Sequence, residues 1–231
     1  MSGITIRCSI VRIAAGAFLG GAAALALVSV PGQSGCRQER PQAEAGSGAT
    51  DSDAKPTPPV ANQVGSADKV AQLLSAGIEQ ANRGDLDTAI ERFREAIAIR
   101  PDSAQAHTSL GTALAMKGDR AGAIESLREA IRLNPEHALT HANLAQALLE
   151  EGDAAGAAES ANRALVLDPT MQEMHVTLGI ALQESGDHHG AVVALRTAVD
   201  LRPEAHDVRM SLGIALRKIG DMTGAAAEFE R

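Results

Sequence analysis

At 231 residues the chain has room for one mid-sized folded unit with extensions and is too short for a multidomain kinase or a synthetase. Its only aromatics are Phe18, Phe93 and Phe229, so it cannot build a platform for stacked bases, sugars or quaternary amines; its net charge of −8, which becomes −10 from Cys36 onward, argues against nucleic acid as a partner. Cys8 and Cys36 are the only cysteines, which removes thiolate metal sites and internal disulfides from everything that follows, and alanine and leucine at helical spacing after residue 68 predict an all-α fold.

The first segment, residues 1–36, carries Arg7 and Arg12 ahead of an uncharged apolar run of 18 residues, Ile13–Val30. Basic residues before such a run predict an export signal or a membrane anchor, and its length suits either. The run ends in Pro31-Gly32-Gln33-Ser34-Gly35-Cys36, which resembles a bacterial lipoprotein signal, where small residues precede a cysteine that is lipidated and becomes the mature N-terminus. Ser34 and Gly35 fit that pattern, and Gln33 stands where it normally has an aliphatic residue. Lipidation at Cys36, an uncleaved anchor and ordinary cleavage all remain open, and each implies an exported or membrane-anchored protein of the bacterial cell envelope.

Residues 37–67 form the second segment, rich in Pro, Gly, Ser, Ala and Gln, with Pro41, Pro56, Pro58 and Pro59 and almost no large apolar side chains. Such a composition cannot bury enough surface to offset ordering entropy, so a disordered linker is expected. Its root-mean-square reach is on the order of 30 Å.

From residue 68 onward the chain repeats itself. Gly-Asp recurs at Gly84-Asp85, Gly118-Asp119, Gly152-Asp153, Gly186-Asp187 and Gly220-Asp221, each 34 residues after the last, and Pro101, Pro135, Pro169 and Pro203 keep the same period. In each unit the glycine can end a helix in the left-handed conformation, the aspartate can cap the next helix, and the proline stops it. The units are 70–103, 104–137, 138–171, 172–205 and an incomplete 206–231. Their eighth place holds Gly77, Gly111, Ala145, Gly179 and Gly213, and their twentieth Ala89, Ala123, Ala157, Ala191 and Ala225, small residues that let paired helices approach closely.

This pattern of Leu-Gly, Gly-Asp, Ala, Ala and Pro resembles the tetratricopeptide repeat family. The resemblance implies a right-handed α-solenoid of about five helix-turn-helix repeats whose first helices line a groove for a peptide or a partner's helix. Place by place, that groove would include Leu74, Thr108, Ala142, Val176 and Met210 from the fifth position of each unit. From the ninth it would include Ile78, Thr112, Gln146, Ile180 and Ile214. The sequence departs from the family at the fourth place, where Leu73, His107, His141, His175 and Arg209 replace the usual aromatic. His137 and His141 are spaced to share a metal on one helix face, but repeat-equivalent histidines lie about 10 Å apart on successive units, and no acid or thiol keeps their phase. They are expected to substitute for the aromatic, with no metal site and no cofactor.

No HExxH, Gly-rich phosphate loop or GxSxG occurs, and no catalytic residue is expected. The sequence therefore predicts a non-enzymatic scaffold: a membrane-tethered array that binds a protein or peptide partner in the envelope and takes no small-molecule substrate. The alternative is the substrate-recruiting module of a longer, glycosyltransferase-like enzyme.

Overall fold

The computed structural model describes residues 60–230. Among the described residues ten helices follow one another without a strand: α1 (Val60–Asn82), α2 (Leu86–Ile99), α3 (Ala104–Lys117), α4 (Arg120–Leu133), α5 (Ala138–Glu151), α6 (Ala154–Leu167), α7 (Gln172–Glu184), α8 (His188–Leu201), α9 (His206–Lys218) and α10 (Met222–Phe229). Odd-numbered helices are the first of each repeat and even-numbered ones the second. Ile13–Val30 and Cys36 lie outside the described residues; within them no helix is long and apolar enough to cross a membrane.

The turns form as their chemistry dictates. All five Gly-Asp glycines have positive φ, between 86° and 93°, where a Cβ would be strained. Each following aspartate accepts a backbone N–H three residues on, from 3.2 Å at Asp85 to 2.8 Å at Asp221. The second helices stop at Arg100, Asn134, Asp168 and Arg202, whose φ between −134° and −142° and ψ near 90° are the extended geometry forced on a residue before proline.

Second helices α2, α4, α6 and α8 pack against their own first helix and against the first helix of the next repeat, and α10 against α9, so the core follows the stack in three successive clusters. The eighth place meets the twenty-fourth: a Cβ on Gly111 would lie 2.7 Å from Leu127 Cγ, and one on Gly179 would lie 2.6 Å from Leu195 Cγ. The same glycine faces Phe93 from Gly77 and Phe229 from Gly213. In the third repeat the two places hold Ala145 and Ala161, both fully buried. A methyl is thus present where its opposite number is short, and absent where the opposite side chain is large.

One boundary differs from the sequence expectation. Helix α1 begins at Val60, inside the stretch assigned to the linker, rather than near residue 68. The turn-forming look of Asn62, Gln63, Gly65 and Ser66 obscures this. No proline interrupts the chain from residue 60 to residue 100.

Candidate functional site

Successive first helices touch one another in every pair, α1 with α3 through α7 with α9, whereas no pair of second helices meets as closely. The stack therefore bends with the first helices on its inner side. Positions 2, 5, 9 and 13 of each repeat share one face of those helices, within an arc of about 80° at 3.6 residues per turn. The inner face is built from them.

The ten residues expected there differ in how far they stay open. Leu74 and Ala142 are buried, so they contribute packing and no surface. Thr108 and Thr112 tie repeats together: the Thr108 and Thr140 hydroxyls are 2.9 Å apart, and Asn143 Nδ2 donates to Thr112 Oγ1 at 2.9 Å. Ile78 packs partly on the core beneath α1 and α2, and Val176 on the core of the last two repeats. Gln146, Ile180 and Ile214 are half-buried. Met210 is 54% exposed. Met210 is therefore the most open of the ten, with Ile78, Gln146, Val176, Ile180 and Ile214 half-buried along the same face. Two exposed apolar side chains on the first helices belong with it although they are outside the ten, Met116 and Leu139. Their signal in the sequence is a large apolar residue at places where other repeats carry Asn82, Glu150 and Lys218, or Gln105, Glu173 and Asp207.

The fourth-place residues have a structural role that the aromatic comparison concealed. His107, His141 and His175 each direct Nε2 at the carbonyl of the proline six residues before, Pro101, Pro135 and Pro169, at 3.0, 2.9 and 3.2 Å. A carbonyl only accepts, so the proton sits on Nε2 in these bonds. Arg209 repeats the tie with Nε to Pro203 O at 2.9 Å and adds a pair with Glu228 at 2.9 Å in which both side chains are mostly covered. His137 turns to Thr140 instead, with Nδ1 at 2.7 Å from its hydroxyl. The rings of the His137–His141 pair thus point to different partners, and no three His, Cys, Asp or Glu side chains gather into a metal site among the described residues.

Perturbed carboxylates lie at turns and on second helices. Asp85 is held below the usual range by hydrogen bonds from the side chain and backbone of Thr88, and Asp168 by those of Thr170. Arg132 lowers Glu129 through a charged hydrogen bond and is itself raised by it. That pair borders an open cleft of about 840 Å³ between α2, α3, α4 and the end of α5, whose walls carry Arg94, Arg128 and Arg132 with Glu125, Glu129 and Glu151. The mixed charge of the walls offers no sign preference to a ligand.

A family profile described as TPR repeat matches residues 81–118, and one described as tetratricopeptide repeat matches residues 117–171 and 176–231, so that together they cover more than half of the chain. The chain belongs to the tetratricopeptide repeat family. No curated protein sequence matches it. Solved structures share the fold at low identity. MamA 41-end from Desulfovibrio magneticus RS-1 is 22% identical, with a TM-score of 0.67 over 71% of this chain and 92% of that one. YrrB, described as a TPR protein with an unusual peptide-binding site, is 15% identical, with 0.65 over 74% and 88%. PilF of Pseudomonas aeruginosa is 20% identical, with 0.63 over 72% and 76%. These likenesses establish the solenoid alone.

Proposed function

We propose that this tetratricopeptide array is a non-enzymatic scaffold, tethered to a bacterial membrane through its N-terminal segment, that binds a peptide or helix of an envelope partner along its inner face. The observation that carries the reading is the set of apolar side chains where the first helices line the bend, exposed Met116, Leu139 and Met210 with half-buried Ile180 and Ile214 beside them. A solenoid holds such a face rigid before binding, so most of the ordering cost falls on the ligand. A structural neighbour, YrrB, is described as a TPR protein with an unusual peptide-binding site, which is in keeping with this reading.

The tether is tested by the intact mass of protein extracted from the membrane fraction of a bacterial host. A mass of Cys36–Arg231 plus acyl groups is expected for lipidation, and the full-length mass for an anchor; recovery only from the unprocessed soluble fraction would refute the tether. The inner face is tested by affinity purification of the full-length chain: Ile180→Ser with Met210→Ser should lose the partner while circular dichroism stays helical. Val166→Ser with Val193→Ser, at exposed places on second helices, should keep it. The reverse pattern would refute the assignment.

A further inference from the structure

The inner face is charged unevenly. In the first two repeats its second and thirteenth places hold Ala71, Asn82, Gln105 and Met116, and in the last three they hold Leu139, Glu150, Glu173, Glu184, Asp207 and Lys218. These places form two rims separated by eleven residues of helix, about 16 Å, enough for a helix of about 10–12 Å diameter to lie between them. Glu173 and Asp207 stand on one rim, Glu150 and Glu184 on the other, and the floor between holds Ile180, Met210 and Ile214. Glu150 is 3.5 Å from Arg120 and Glu173 3.2 Å from Arg202, whereas exposed Glu184 and Asp207 have no ion-pair partner among the described residues.

Glu173 and Asp207 stand in the first turns of α7 and α9, where the helix dipole favours an acid, whereas the acids of the other rim are placed at a cost within the fold. Glu150 and Glu151 are the last residues of α5 and Glu184 the last of α7. Negative charge there opposes the helix dipole, which favours a cation at a C-terminus. Helices α3 and α9 obey that preference, ending in Lys117 and in Arg217-Lys218. A locally unfavourable acid with no intramolecular partner, as at Glu184, points to a partner outside the chain.

We infer that the inner face of the last three repeats takes a cationic amphipathic helix of a partner protein, its apolar side on Ile180, Met210 and Ile214 and its Lys or Arg residues on Glu184 and Asp207. This rests on the inner-face reading above and supplies the chemistry of the ligand. A second copy of the array is a poor occupant, because from Val60 onward 16 Lys and Arg stand against 25 Asp and Glu, and two such bodies repel.

The test uses the full-length chain in a non-ionic detergent and three labelled 18-residue helical probes that share one leucine face and carry Lys, Gln or Glu on the other, read by fluorescence polarisation. The Lys probe should bind about tenfold tighter than the Gln probe. Glu173→Gln with Glu184→Gln and Asp207→Asn should remove that preference, and Glu184→Gln alone, a change the helix dipole favours, should remove part of it. Glu91→Gln with Glu125→Gln and Glu159→Gln, the same loss of charge from exposed places on second helices, should leave it intact. Equal losses from both triple variants would overturn the inference in favour of bulk charge. Preference for the Gln or Glu probe, with binding still lost in Ile180→Ser with Met210→Ser, would overturn the cationic ligand and leave the inner face standing. Absence of binding by all three would overturn both, and a dimer in sedimentation velocity that the inner-face triple variant dissolves would replace the partner helix by a second copy.

Discussion

Gly179→Ala should destabilise the array in the natural background and cease to do so once its neighbour is shortened. The new methyl would lie 2.6 Å from Leu195 Cγ and 2.9 Å from Leu195 Cδ2, inside a layer where Leu195 is fully buried. Overpacking of that kind costs about 1–3 kcal/mol, against a gain of about 0.8–1 kcal/mol from replacing glycine by alanine within a helix, so a net loss of about 1 kcal/mol is expected. Leu195→Ala alone opens a cavity and should cost about 2–5 kcal/mol. The double variant recreates the Ala145–Ala161 arrangement of the third repeat. In the Leu195→Ala background the clash is gone, so Gly179→Ala should change sign and stabilise by up to about 1 kcal/mol, a coupling of about 2 kcal/mol. Urea melts of the four proteins, followed by circular dichroism at 222 nm, measure it. Additive losses would refute the reciprocal fit of the eighth and twenty-fourth places.

Three further outcomes follow from the polar ties. Thr140→Val removes the shared partner of Thr108 and His137 and should lower stability by about 1–2 kcal/mol in the same urea melt, whereas exposed Thr170→Val should cost less. Glu228→Ala leaves the mostly covered guanidinium of Arg209 without its carboxylate and should cost about 2 kcal/mol; Arg209→Met with Glu228→Leu should recover much of it, as thermal melts can show. Asp85 and Asp168 have folded pKa values below the 3.8 of the unfolded chain, so their contribution is complete above that pH and is lost as pH falls through the lower folded values. Acid titration followed by circular dichroism should therefore show stability falling as pH drops below about 4, with a shallower slope in Asp85→Asn than in the natural chain.

The sequence made the turns legible because their causes are local. Gly118-Asp119 needs only a positive φ and a carboxylate three residues before an unpaired N–H, and Pro135 needs only an extended residue before it. The start of α1 was hidden because Gly65 and Ser66 read as linker when helix propensity is judged apart from packing. The bonds of the fourth-place histidines to Pro101, Pro135 and Pro169 depend on how the interrepeat loop folds back over the next helix, which no spacing reports. The inner face was half legible. Periodicity puts Leu74, Thr108, Thr112 and Ala142 on the same side as Ile180 and Met210; only the contact between successive first helices decides that Leu74 and Ala142 are covered and that Thr108 and Thr112 are tied to α5.

The central claim is that a partner lies along the first helices, and site-specific photo-crosslinking of the full-length chain in bacterial cells tests it most directly. A photoreactive residue at Ile180 or Met210 should give a crosslinked adduct that the same residue at Val166 or Val193 does not. Adducts from the second-helix positions with none from Ile180 and Met210 would place the partner on the outer side and contradict the account.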